Sequence, residues 1–301
     1  MTRPIARRDF LRESVAIGAA LAAGLQTRAA PAAGALARNP ICLFIKFVQS
    51  LGYDELADAV AEMKADGIEA TVRKGGYIPP ERATDELPKL VETLARRNLK
   101  ITMITTDVLS VDDANTRPVL ETAAKLGIPM YRMGSYKYDL NRSVMNQLNA
   151  IGPSLKELGA LNAELGIQAV YQNHSGADHV GATVWDIYSL IKDIPNEQIA
   201  LAFDIRHATI EAGLSWPTVY NAMRPRIATV YVKDFDWVGR RAEHVPLGKG
   251  RVDRAFFQRL LADGFTGPIS LHVEYLGDGD AQENLAALRR DLGVLRGWLQ
   301  S

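Results

Sequence analysis

Apolar runs of strand length recur along the chain and alternate with amphipathic stretches of helical period. The runs begin near Ile41, Gly67, Lys100, Ile128, Ile167, Ile199, Ile227 and Ile269. The pattern predicts helices over Tyr53–Ala65, Thr84–Arg97, Val111–Leu126, Val144–Leu165, Thr183–Lys192, Ser215–Met223, Asp253–Leu261 and Ala281–Leu299. Alternating strands and helices imply parallel pairing through crossover connections. Eight such units predict an α/β fold closed into a single (β/α)8 TIM barrel over residues 38–301. An open doubly wound sheet is the competing architecture, but no Gly-x-Gly-x-x-Gly follows the first run.

Four runs in the second half end in polar residues: Tyr171-Gln-Asn-His174, Phe203-Asp-Ile-Arg-His207, Tyr231-Val-Lys-Asp234 and His272-Val-Glu-Tyr275. In a parallel barrel these ends share one rim, where chemistry collects. Alternate strand residues share a face, so Gln172 pairs with His174, Tyr231 with Lys233 and His272 with Glu274, while Asp204 completes an inward ring. Lys46 in the first unit and Glu69, Thr71 and Arg73 in the second have compatible positions for the same mouth.

Asp204 and Glu274 are candidate ligands of a divalent cation, with the amide oxygen of Gln172 completing part of the shell. For either carboxylate alone, an ion pair with Lys233, Arg73 or Arg206 remains the alternative. His207 is a candidate contact to a ligand hydroxyl or a capping histidine; His174 and His272 are catalytic or binding candidates or satisfied structural groups. His179 and His244 fall in predicted loops with no assigned role. Lys233 can clamp an oxyanion, act as a base if burial depresses its pKa, or simply form a salt bridge. Arg73, ahead of Gly75-Gly76, fits a loop arginine that holds a carboxylate or hydroxyls. Trp216, Trp237, Tyr77 and Tyr275 lie in or near the same loops and offer flat faces for a sugar ring, whereas Trp185 is expected in the core.

The N-terminus changes the expected location. Arg7-Arg8-Asp-Phe-Leu precedes a short Gly/Ala-rich apolar stretch and small-residue sequence, which predicts a twin-arginine export signal over residues 1–37 and a periplasmic or extracytoplasmic protein. The stretch is too short for a membrane span, so no stable span is expected after cleavage. The first 33 residues hold five Arg against Asp9 and Glu13, leaving 30 basic and 33 acidic residues behind them. That balance argues against nucleic acid as a partner. One cysteine, Cys42, excludes an intrachain disulfide and is expected inside the first strand. Homo-oligomerisation is left open.

Further segments carry a family resemblance: Tyr171-Gln-Asn-His-Ser-Gly176, Val232-Lys-Asp-Phe235, Pro246-Leu-Gly-Lys-Gly-Arg-Val-Asp253 and Gly267-Pro-Ile-Ser-Leu-His-Val-Glu274. With these the chain resembles the sugar phosphate isomerase/epimerase superfamily, with its xylose isomerase-like barrel, over residues 39 to 299, and members bearing export signals are especially similar. The glycines of the Leu-Gly-x-Gly-x-x-Asp segment let it turn close to the mouth, and Asp253 can cap the next helix. The resemblance implies a divalent metal (Mn, Mg, Zn or Fe) held by Glu, Asp, His and Glu, positions filled here by Gln172, Asp204, Tyr231 and Glu274. Two of the four depart, which puts the two-glutamate proton shuttle in doubt. His207 matches the family's substrate-contacting histidine.

The implied activity is isomerisation or epimerisation of a small-molecule sugar or keto-sugar by proton abstraction next to a carbonyl. Glu274 or a nearby His, such as His174, removes the proton, Lys233 and His207 stabilise the enediolate, and Arg73, Lys46, Trp237 and His272 bind substrate. A lyase or hydratase on an oxidised glycoside is the alternative, and a non-catalytic carbohydrate-binding barrel is a third reading. The abasic-site nuclease branch of the fold needs a His-rich cluster and a basic face, which the chain lacks.

Overall fold

The computed structural model describes residues 39–277 and 279–300, so the expected export signal lies outside the described residues. Eight parallel strands form a closed barrel: β1 (Ile41–Phe44), β2 (Gly67–Thr71), β3 (Lys100–Thr105), β4 (Met130–Arg132), β5 (Gln168–Gln172), β6 (Ile199–Asp204), β7 (Ile227–Val232) and, last in sequence, β10 (Ile269–Leu271). Outside the barrel sheet, β8 (Asp234–Val238) and β9 (Arg241–Val245) form an antiparallel hairpin. The described helices are α1 (Tyr53–Glu62), α2 (Ala83–Ala95), α3 (Thr116–Lys125), α4 (Val144–Leu165), α5 (Trp185–Ile191), α6 (Ile205–Ala212), α7 (Trp216–Met223), α8 (Ala255–Ala262) and α9 (Ala281–Gln300). None of them is long and apolar enough to cross a membrane.

Strand parity divides the core in two. In β6, Leu201 and Phe203 face the helices, and Phe203 packs on Tyr220 of α7 and Phe256 of α8. Ala200 and Ala202 face the barrel axis, where they pack with Cys42, Met103, Met130, Val170 and Tyr231. Small alanines on one strand leave room for the Tyr231 ring, so the barrel is a filled core and not a pore. Each large side chain so buried contributes about 1.5–3 kcal/mol. Cys42 is fully buried in β1, as expected.

Helix ends follow local chemistry. The Ser143 side chain accepts the Asn146 N–H at the start of α4, and Gly166 at φ 68° closes that helix in the left-handed region, where glycine has no Cβ penalty.

Two elements differ from the expected pattern. The segment after Asp204 turns directly into α6 without a loop, because the Asp204 carboxylate ends the strand and caps the helix at once. The residues after Lys233 form the β8–β9 hairpin, which places His244 on a strand and not in a loop. Trp185 is a correction: it is 52% exposed, because α5 buries the face carrying Ile187 and Ile191 and Trp185 lies off that face.

Candidate active site

The inward parity of the strands continues past their ends. Asp204 closes β6, Lys233 follows β7 by one residue, and Glu274 lies just beyond β10. Lys233 Nζ sits 3.2 Å from Asp204 Oδ2 and 2.8 Å from Glu274 Oε1, with only 6% of the lysine side chain exposed. Burial favours the neutral amine, but the two carboxylates outweigh it and raise the Lys233 pKa. Burial likewise opposes ionisation of Glu274, yet Lys233 and His272 hold its carboxyl well below the ordinary range. Asp204 is also shifted down against its burial, by His207, Lys233 and His272 around it and by the His207 backbone N–H.

A second layer lies beneath this rim. Glu69 is fully buried and accepts from Tyr231 Oη at 2.9 Å, Thr105 Oγ1 and Ser270 Oγ at 2.5 Å each, and His272 Nε2 at 3.1 Å. Burial raises the Glu69 pKa, but His272, Arg132 and Ser270 outweigh it and bring it to about 2. His272 is shifted up, against its burial, mainly by Glu69. Its other nitrogen, Nδ1, lies 3.5 Å from Glu274 Oε1, and its ring stacks on Phe44. Glu69 therefore belongs to the barrel interior and not to the mouth. His272, expected to bind substrate, is only 3% exposed and lies below the rim, between Glu69 and Glu274.

The other histidines line the wall beside Asp204. His207 Nδ1 accepts the Ser175 N–H at 3.2 Å, which leaves the proton of the neutral ring on Nε2, 3.5 Å from Asp204 Oδ2. Burial holds His207 well below its ordinary pKa. His174 Nδ1 donates to the Gln172 carbonyl at 2.9 Å, leaving Nε2 as the unprotonated nitrogen. Burial, with Arg132 and Lys233, brings its pKa to about 3.

Three residues of the site, Arg132, His179 and His244, carry no assigned role in the sequence, and Arg206 is expected only as an ion-pair partner of Asp204 or Glu274. Arg132, the polar end of β4, binds Gln172 Oε1 at 2.5 Å; its place after Tyr131 is the same polar-end signal that marked the later strands. His244 Nε2 reaches to 3.7 Å from Glu274 Oε2, and the His179 ring stacks on His174 at 5.0 Å. Arg206 places NH1 3.3 Å from His207 Nδ1 and donates to the Ala242 carbonyl, tying the hairpin to α6.

Of the expected binding residues, Arg73 is half-buried two residues past the carboxyl end of β2. Lys46 stands on the turn after β1 with its ammonium 4.5 Å from the Phe47 ring centroid. Trp237 lies on the hairpin, 44% exposed, edge-on to Phe235. The other aromatic candidates have structural partners: Trp216 meets Phe256, Tyr77 donates to the Leu51 carbonyl, and Tyr275 lies under Arg290.

The Leu-Gly-x-Gly-x-x-Asp loop is organised by Asp234, whose carboxylate accepts N–H groups from Phe235, Gly248, Gly250 and Val252. A Cβ at Gly250 would fall 2.1 Å from the Phe235 carbonyl oxygen and 2.4 Å from Asp234 Oδ1, so only glycine fits. Asp253 accepts the Ala255 N–H at 2.9 Å from one residue before the N-cap of α8, which is Arg254, so it does not hold the capping position expected for it.

The expected metal set of Gln172, Asp204 and Glu274 does not fit a divalent cation in this arrangement. Arg132 occupies the Gln172 oxygen, so the amide turns Nε2 toward Asp204 Oδ2 at 2.8 Å and presents a donor where a ligand is needed. The Lys233 ammonium stands between the two carboxylates, and Tyr231 points down to Glu69. Among the described residues, no group of three or more His, Cys, Asp or Glu is placed to hold a metal.

An eight-stranded parallel barrel with a charged rim at its carboxyl ends defines the architecture, and residues 57–297 match the family model for the xylose isomerase-like TIM barrel. The chain belongs to that family. No curated protein sequence matches it significantly. Among solved structures, it is similar to 3-keto-D-glucoside 4-epimerase from E. coli, with a TM-score of 0.66 and 17% identity over 84% of this chain and 99% of that one. D-psicose 3-epimerase from Clostridium cellulolyticum, solved with D-tagatose, gives a TM-score of 0.67 and 12% identity over 86% and 99% of the two chains. A xylose isomerase-like TIM barrel protein from Mycobacterium smegmatis in complex with magnesium gives 0.60 and 17% over 86% and 97%. At these identities the likeness is one of fold.

Proposed function

We propose that the barrel mouth takes a sugar or keto-sugar and moves a proton on the carbon next to its carbonyl, as an isomerase or epimerase. The observation that carries this reading is the 2.8 Å pairing of Lys233 with Glu274, a fixed cation beside a carboxylate base. Glu274 takes the proton from the C–H bond, and the electron pair moves onto the carbonyl oxygen as the enediolate forms. Glu274 Oε1 is held by Lys233, whereas Oε2 faces His244 beyond hydrogen-bond range, so Oε2 is the base. Of the three Lys233 N–H donors, two serve Asp204 and Glu274 and the third meets the substrate oxygen as its charge grows. His207, neutral with its proton on Nε2, donates to an adjacent hydroxyl, and the free Nε2 of His174 accepts from another. Arg73, Lys46 and Trp237 contact the outer part of the sugar.

The same deprotonation ends in β-elimination when a leaving group sits one carbon further on. Gln172 favours this lyase reading, because an amide at the end of β5 cannot exchange a proton with the opposite face of the substrate. Incubation with a panel of keto-sugars in D2O tests both outcomes. Deuterium entering a recovered or epimerised sugar supports the isomerase, and an unsaturated product with release of the leaving group supports the lyase. Neither exchange nor elimination with any member of the panel overturns the proton-transfer reading. The expected site of action is outside the cytoplasm, after twin-arginine export. Replacing Arg7 and Arg8 by Lys should retain the protein in the cytoplasm, and unchanged export would overturn that assignment.

A further inference from the structure

We propose that Lys233 is the resident cation of this site and that it excludes a divalent metal from Asp204 and Glu274. The inference stands whichever reaction the mouth performs, because it concerns only how the two carboxylates are balanced.

The geometry is that of an internal counter-ion. The ammonium lies within 3.2 Å and 2.8 Å of one oxygen from each carboxylate, so its single charge is shared where a metal would have to bridge. Asp204 has little coordinating capacity left. Its Oδ1 accepts the His207 backbone N–H at 3.1 Å, and its Oδ2 faces Gln172 Nε2, Lys233 Nζ and His207 Nε2 at 2.8, 3.2 and 3.5 Å. Turning Gln172 over to offer its oxygen would aim its amide hydrogens at the Arg132 guanidinium, two donors facing each other. Arg132 thus locks the amide in the orientation that cannot ligate.

The remaining positions agree. Burial and Glu69 raise the Tyr231 pKa well above its ordinary value, so the phenol stays neutral and hydrogen-bonded 2.9 Å from Glu69, away from the mouth. Gln172, Arg132, Lys233 and Tyr231 form one consistent set: an uncharged amide, two fixed cations and a neutral phenol around carboxylates that elsewhere would invite a metal. A buried ion pair that loses one partner leaves an uncompensated charge, so the lysine and the carboxylates depend on each other.

Titration of chelator-treated, full-length protein with Mn2+, followed by the electron paramagnetic resonance of the free ion, tests the assignment without any substrate. Wild type is expected to leave the free-ion signal undiminished at stoichiometric Mn2+. One tightly bound Mn2+ per chain that vanishes in Asp204→Asn would overturn it. The reciprocal variant, Lys233→Ala with Gln172→Glu, is expected to bind one Mn2+ at least tenfold more tightly than wild type. Unchanged affinity in a double variant that keeps the wild-type circular dichroism would overturn the role given to Lys233. Should that variant not fold, the wild-type titration alone decides.

Discussion

Asp204 meets His207 twice: its Oδ1 accepts the histidine backbone N–H at 3.1 Å, and its Oδ2 lies 3.5 Å from the ring Nε2. One carboxylate therefore starts α6, orients the imidazole and neutralises Lys233. The fold and the site share this residue, and its substitution separates the two functions.

Asp204→Asn keeps an oxygen for the helix cap but leaves Lys233 with Glu274 as its remaining carboxylate. Because Glu274 still compensates the ammonium, the expected loss is that of a charge-assisted hydrogen bond, about 1.5–3 kcal/mol. A cap lost alone would cost only about 1 kcal/mol. The midpoint of urea unfolding at unchanged m-value measures the difference.

Glu274→Gln removes the proposed base and halves the charge facing Lys233. Solvent-deuterium exchange into substrate should fall by about 10²- to 10⁴-fold, the usual range for one positioned base. Sugar affinity, read by calorimetry, should change far less. A variant with full exchange would place the base elsewhere, with His174 next in line.

The Glu69–His272 pair predicts a stability maximum in pH. Glu69 is held at about 2 against an ordinary 4.5, so its contribution is present above 4.5 and is lost as pH falls toward 2. That limb is on the order of 3 kcal/mol. His272 is shifted above 6.5, so its contribution is full below 6.5 and fades as pH rises through its folded value. Thermal unfolding of wild type and Glu69→Gln across this range checks the sign: the variant should have a shallower acid limb, with the share of Asp204 and Glu274 remaining, and a smaller alkaline limb, because Glu69 is the main cause of the His272 shift.

Gly250→Ala forces a Cβ against the Phe235 carbonyl and the Asp234 carboxylate. Overpacking of this kind costs about 1–3 kcal/mol. The Asp234 bonds to Gly248, Gly250 and Val252 should loosen with it, and limited proteolysis should cut within 246–252 in the variant before wild type.

The rhythm of the barrel was legible because a period of two and a period near 3.6 alternate without interruption, and six strands begin at the residues expected. The strand ends were legible for the same reason: alternation carries Gln172, Lys233 and Glu274 inward. The roles were harder to read. Glu69 has the parity of a mouth residue, yet the network of Tyr231, Thr105, Ser270 and His272 holds it inside, a contact set drawn from strands distant in sequence. The helix α6 escaped notice because Asp204 serves as strand end and cap with nothing between. His244 looked like a loop residue because the hairpin that lifts it over Glu274 follows directly on Lys233. Arg132 and Asp204 together decide which atom Gln172 presents, and no local pattern around Gln172 announces that.

Cys42 is the single cysteine of the chain, fully enclosed in β1, and burial pushes its thiol up to about 12. Maleimides and spin labels need an accessible thiolate, so the native protein offers them no background. A cysteine introduced at the exposed Trp237 position would then be a unique reporter on the hairpin, installed without first removing a native thiol.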